Sequence, residues 1–345
     1  MNKNEVSIEE WRKLYEAMIH LQEIAPWKRM EEQDIFGVQN PENGEIGYVS
    51  VMGLLGEHYG ISVYPGDAGL VGFWKLQHEN IQAAPERLLE CPQLQASFED
   101  REMLDKKDTA IIKKLNLKFR GNNAYPFFRS VHPGCLPWFL EPGEARFLGY
   151  ALEQTIDVVL RLVKNPSLLK SLEKKNYLVR VPRQENKNLS WEDRIIRTEP
   201  VNKLEIPVEI NIQEIKALDR LPRAENIFEI DFFIFPIPIY EKNNRPYLPY
   251  ALLVVDIESQ YVFCHDLLPP LPSVEEMWGL VPGKIVSLLG KMECLPKEIR
   301  VRSELLFQLL QPLAKGPGIK IKQTRNLKSL DSAKKFLNQV SRQTI

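Results

Sequence analysis

Apolar positions along the chain change period several times, and each change marks an element. Ser7 and Glu10 form a capping box ahead of Trp11, Leu14, Met18 and Leu21, so the spacing predicts a helix ending near Pro26. The runs IFGVQNPENGEIGYVSVMG and HYGISVYPGDAG carry short β-rich stretches separated by NPENGE and PGDAG, the turn chemistry of an antiparallel meander. Helical spacing returns from Gly69 through Gln82 and is followed by a strand-like LQASFED and a helical DTAIIKKL. A strand pair is predicted around NAYPFFRS and LPWFLE. From Pro142 a long helix shows one broad apolar face, with Ala145, Leu148, Leu152, Ile156, Val159 and Val163. NYLVRVPR and EDRIIRTEPV read as two strands, and a connector with one helix leads out of them.

The remaining pattern is strand IFEIDFFIFPIPIY, strand YALLVVD, strand YVFCHDLL, helix SVEEMWGLVPGKIVSLLGKM, strand EIRVR, helix SELLFQLLQPLA, strand GIKIKQ and helix LKSLDSAKKFLNQV. That order, βββαβαβα, defines a second domain. The expected division is an α+β domain with an antiparallel sheet over residues 1–203 and an α/β domain over residues 204–345, with the boundary fixed to about ten residues.

Composition agrees with two folded domains. A chain of 345 residues, 44% hydrophobic and 26% charged, is long enough for two cores and has no bias towards disorder. Its beginning, MNKNEVSIEEWRKLYEAM, lacks the basic start and apolar core of a secretory signal, and no apolar run approaches the roughly 18 to 20 residues of a membrane span. A cytoplasmic protein with no membrane contact is therefore expected. Cys91, Cys135, Cys264 and Cys294 form no CxxC pair, which argues against a disulfide framework or a zinc cage. The net charge of −1 hides an asymmetry: residues 1–105 hold 8 Lys+Arg against 19 Asp+Glu, and the rest hold 37 against 27. Lys106 to Arg129 alone carries seven basic residues and one acidic one. An anionic partner fits such a stretch, and so does a solvated face.

The βββαβαβα order over residues 226 to 342 resembles the ribonuclease H-like fold, which retroviral integrases and transposases share. VVDIESQYVF is similar to the second hairpin of integrase cores and LPKEIRVRSE to the approach to their fourth strand. Enzymes of that fold place one carboxylate on the first strand, a second at the end of the fourth and a third on a following helix, and these hold two metal ions. By position the resemblance implies Asp231 for the first. The second falls on Arg302 or Ser303, with Glu304 arriving late, and the third has only Asp331. An arginine where a ligand belongs argues against Mg²⁺, so no metal site is expected. Asp256, followed by Ile-Glu-Ser-Gln, reads as a turn residue.

The first half has a resemblance of its own. FGVQNPENGEIGYVSVMGLLGEHYGISVY, LQASFEDRE, IIKKLNLKFRGNNAYPFFRS and PGCLPWFLEPGEARFL resemble an uncharacterised bacterial two-domain family of unknown function, some of whose relatives append a Cys-rich SEC-C motif. Residues 1–345 show no Cys-rich run of that kind, so no metal function is expected from the resemblance, which implies no activity.

Motifs narrow the chemistry by what is missing: there is no Walker loop, no GxGxxG after a strand, no GxSxG and no HExxH, so no cofactor is expected. The lone histidines of GEHYG and SVHPG lack the partners a metal would need. LKFRGNNAYPFFRS is more informative, because Lys118, Arg120 and Arg129 alternate with Phe119, Tyr125, Phe127 and Phe128. Cations that track phosphates beside faces that stack bases suit single-stranded nucleic acid, with Lys118, Arg120, Tyr125 and Arg129 as the binding set. A hairpin with its aromatics in the core and its cations in water has the same pattern. Two functions follow from these readings. One is a non-enzymatic binding or regulatory protein with a nucleic-acid or protein partner; the other is a metal-dependent hydrolase or nuclease built on Asp231, Asp256 and Glu304.

Overall fold

The structure is a computed structural model that describes residues 5–78, 89–170, 175–185, 188–198, 206–208, 210–241, 244–292 and 294–343. The chain divides into two compact units, Met1–His132 with Pro137–Asn202 and Pro133–Leu136 with Lys203–Ile345. Among the described residues no helix is long and apolar enough to cross a membrane.

In the first unit β1 (Phe36–Gln39), β2 (Ile46–Met52), β3 (Gly60–Pro65), β4 (Gln93–Glu99) and β5 (Tyr125–Val131) form an antiparallel meander. A hairpin of β6 (Asn176–Glu185) and β7 (Asn188–Arg197) completes a seven-stranded sheet in the order β5-β4-β3-β2-β1-β6-β7. The hairpin joins through a parallel pairing, Gly37 beside Val179, so the sheet is mixed where the sequence pattern predicts an antiparallel one. Strand alternation gives the sheet two apolar faces. Val49, Val51, Ile61 and Val63 pack with α1 (Ile8–Ile24) and α4 (Pro142–Lys164), while Tyr48, Tyr64 and Tyr177 pack with α2 (Gly66–His78). The predicted helix from Gly69 runs over Gly66–His78, and positions 79–82 lie outside the described residues. LPWFLE forms no strand; Trp138 makes only an isolated bridge to Ser130.

The second unit begins with α5 (Ile212–Leu218) and contains β8 (Ile227–Ile234), β9 (Tyr250–Asp256), β10 (Val262–Leu268), α6 (Val274–Lys291), β11 (Glu298–Val301), α7 (Glu304–Leu309), α8 (Gln311–Lys315), β12 (Lys320–Gln323) and α9 (Lys328–Gln343). Its five strands lie in the order β10-β9-β8-β11-β12. The first three are antiparallel, and β11 lies parallel to both β8 and β12. Two predicted elements are interrupted by proline. β8 stops before Pro236 and Pro238, and the helix expected at SELLFQLLQPLA divides at Leu310, where Pro312 offers no amide to continue the ladder. Pro133–Leu136 also belongs to this unit: Cys135 bridges Tyr247, with the Leu136 amide on Pro246 O and the Leu248 amide on Gly134 O, each at 2.9 Å.

Candidate functional site

β8 reads IFEIDFFI, and the pleat divides it into two rows. Phe228, Ile230 and Phe232 take one face, where Phe232 meets Trp278 of α6 edge-on. Glu229, Asp231 and Phe233 take the other, under α9. Leu327, just ahead of that helix, and Leu330, Ala333 and Leu337 within it pack with Phe233, Leu253 and Val255, and Lys334 stands four residues after Leu330 on the same side. A helix that packs by this stripe must carry Lys334 onto the sheet.

Asp231 is therefore the centre of an ionic cluster. Its Oδ2 accepts from Lys334 Nζ at 2.6 Å and lies 3.5 Å from Arg302 Nη1, while Oδ1 accepts from the Phe232 amide at 3.0 Å. The Lys334 ammonium also sits 3.5 Å from the centre of the Phe233 ring. Arg302 Nη2 reaches both oxygens of Asp331, at 2.7 and 2.9 Å. Val301 pairs with Ile230, so the next residue, Arg302, arrives beside Asp231 by register. Two cations balance two carboxylates, with the Asp231 side chain only 8% exposed. A divalent ion at Asp231 would have to displace an ammonium already in hydrogen-bond contact. Among the described residues no group of three or more His, Cys, Asp or Glu is arranged to hold a metal ion.

The other two carboxylates of the hydrolase reading do not join it. Asp231 pairs with Leu253 and Asp256 with Phe228; three residues separate the rows, so Asp256 lies on the opposite face of the sheet. Its Oδ2 accepts from the Ser259 hydroxyl at 2.7 Å, the Ser259 amide at 3.3 Å and Asn226 Nδ2 at 3.2 Å. Burial pushes the Asp256 carboxyl up, but these bonds outweigh it and hold the group below its ordinary value. It is a turn-closing residue. Glu304 opens α7 as an exposed residue and accepts from Gln308 Nε2 at 3.0 Å, while Ser303 caps that helix by accepting from the Leu306 amide.

In the first unit the expected binding set also separates. Arg129 is 8% exposed and is not available to a phosphate: it forks onto Asp108 at 3.0 and 2.7 Å and reaches Asp105 at 3.2 Å. Its guanidinium lies 3.7 Å from the Phe127 ring centre. Asp105 and Asp108 form the capping box of α3 (Lys106–Lys114), so Arg129 fastens that helix to β5. Lys118 and Arg120 are exposed, Tyr125 is half-buried against Phe119, and Phe119 and Phe128 pack on Tyr15. Phe119 and Phe128 pack on the core, while Phe127 is covered by the Arg129 guanidinium and Tyr125 leans on Phe119.

The remaining candidates are structural. Ser130 Oγ and His132 Nε2 both meet Glu144 Oε1, at 2.6 and 2.7 Å, so one carboxylate oxygen binds both groups. Burial raises the Glu144 carboxyl, yet His132, Ser130 and the Glu141 amide together hold it below its usual range. His58 stands 3.6 Å from Glu99. Cys91 and Cys135 are buried, and burial pushes the Cys91 thiol up to about 12, which removes it as a nucleophile. The Cys264 side chain lies outside the described residues. Sequence reasoning found Asp231 and Arg302 but missed Lys334; its helical spacing from Leu330 was the available signal.

Comparison with known proteins shows two domain-level similarities, neither to a domain of known function. No curated protein matches the chain. Residues 11–180 match the model of a domain of unknown function (DUF7309) and residues 214–338 that of a second (DUF6930), which supports an uncharacterised two-domain family.

Proposed function

We propose that this chain is a non-enzymatic binding protein whose second unit is a ribonuclease H-like module with basic side chains where enzymes of that fold hold metal ions. The observation that carries the reading is Lys334 Nζ at 2.6 Å from Asp231, with Arg302 completing the neutralisation and tied in turn to Asp331. Metal-assisted phosphodiester hydrolysis needs carboxylates free to converge on the ions. Here the first-strand carboxylate is paired, the fourth strand ends in an arginine, and the helical carboxylate is held by that arginine. The strand order β10-β9-β8-β11-β12, with β8 to β10 antiparallel, supports the fold assignment. The hydrolase built on Asp231, Asp256 and Glu304 has no comparable support, because Asp231 and Asp256 lie on opposite faces of one sheet.

The test is incubation with single- and double-stranded DNA and RNA in Mg²⁺ or Mn²⁺. Intact substrate is the expected result. Cleavage that disappears in Asp231→Asn would overturn the reading.

A further inference from the structure

The sheet face beside the Asp231 cluster is open over its last two strands. Register places Glu298 beside Lys320 and Arg300 beside Lys322, and aligned residues of parallel neighbours share a face. The opposite face carries the buried Ile299 and Val301. On the open face the Lys320 side chain is 67% exposed and Arg300 31%, and Lys322 is exposed; the exposed Arg325 follows two residues after the end of β12. Residues 297 to 335 hold ten Lys+Arg against Glu298, Glu304 and Asp331. The acids on this face are already occupied: Glu298 accepts from both Arg300 and Lys320 at 2.6 Å, and Asp231 and Asp331 are held within the cluster. One carboxylate between two cations leaves the pair with a net positive charge, to which Lys322 and Arg325 add.

We infer that the open face of β11 and β12 binds the phosphate backbone of single-stranded nucleic acid, independently of sequence, through Lys320, Lys322 and Arg325. This deepens the binding reading above and rests on it. Lys320 and Lys322 point the same way about 6.6 Å apart, a repeat comparable with that of phosphates along an extended strand. The exposed face is two strands wide, roughly 10 Å, which suits one backbone. Arg300, Lys320 and Lys322 supply charge with no apolar side chain among them, whereas a protein partner would need a desolvated apolar or aromatic anchor. No aromatic ring stands on these strands to stack a base, so affinity comes from phosphates alone.

The experiment is fluorescence anisotropy of the full chain with a labelled single-stranded oligonucleotide at 50 and 200 mM salt. Three phosphate contacts predict a loss of affinity of about 20-fold between the two salts. Lys322→Glu with Arg325→Glu is expected to lower affinity at 50 mM at least tenfold and to reduce the salt effect to about 3-fold. Lys216→Glu with Lys291→Glu, two exposed positions on α5 and α6, changes the net charge equally and is expected to leave affinity within about twofold. Circular dichroism of each variant verifies folding. No binding at 50 mM, equal loss in both double variants, loss confined to Lys118→Glu with Arg120→Glu, or tighter binding of duplex than of single strand would each overturn the inference. The same samples run on a gel with Mg²⁺ separate the two claims: cleaved oligonucleotide defeats the non-catalytic reading, whereas intact but unbound oligonucleotide defeats only this surface.

Discussion

Arg129 shows how a residue's type can suggest one role and its partners impose another. In the sequence it ends a basic, aromatic-rich stretch; in the fold it lies beneath α3 with both nitrogens of its fork on Asp108. Removing one member of a buried pair strands the other, so Arg129→Ala should cost about 3–5 kcal/mol in urea denaturation, against less than about 0.5 kcal/mol for Lys118→Ala. Equal small effects would mean that the pair is not buried in solution. Asp108 was visible as the one acid among seven cations, and as the third residue of a capping box. Its partner 21 positions away was not legible, because strand parity decides which of Phe128 and Arg129 turns towards α3. Asp256 was the opposite case. Asp followed by Ile-Glu-Ser-Gln states its local turn chemistry in five residues, and Ser259 supplies two of the three bonds to its carboxylate.

At the scale of elements, short-range signals were legible and long-range pairings were not. The order of strands and helices in the second unit follows from alternation, helical spacing and turn residues, all local. The parallel pairing of β1 with β6 has no local trace, since either strand would read the same beside another neighbour. α9 depends on one such distant contact, the Leu330 amide donating to the buried Glu229 of β8 at 2.8 Å. Glu229→Ala removes this anchor and should cost about 1–2 kcal/mol, read as faster hydrogen exchange in α9 than in α6. The acid sensitivity of β11 and β12 follows from Glu298. The Lys320 ammonium lowers its carboxyl against the opposing cost of burial, with Arg300 adding to the lowering. A carboxyl lowered in the folded state contributes stability that is complete above its ordinary value and lost as pH falls through the lowered one. The unfolding midpoint should therefore drop as pH falls through that window, and less steeply in Glu298→Gln; parallel curves would refute the assignment.

At the scale of the molecule, the two units are not two uninterrupted stretches of chain. The sequence pattern places one boundary near residue 204, but Pro133–Leu136 is built into the second unit although it lies between β5 and α4 of the first. Four residues with no periodicity of their own could not announce this. Their conformation is demanding at Gly134, which has φ +75° and would bring an added Cβ within 2.7 Å of Pro270 and 3.3 Å of Tyr250. Gly134→Ala thus combines a left-handed backbone penalty of about 1 kcal/mol with a clash against a proline ring that cannot swing aside. The disturbed neighbours are the Leu248 amide bonded to Gly134 O and the buried Tyr250, both in the second unit. Trp278 is the one tryptophan of that unit, since Trp11, Trp27, Trp74, Trp138 and Trp191 all belong to the first. With those five replaced by phenylalanine in a background that still folds, the remaining fluorescence reports the second unit alone. Gly134→Ala in that background should lower the Trp278 melting midpoint by several degrees, as expected for 1–2 kcal/mol in a domain of this size. A variant with Trp278→Phe and the other five retained should show the first-unit midpoint unmoved by Gly134→Ala. A shift in the first-unit signal with Trp278 unchanged would assign Pro133–Leu136 to the first unit.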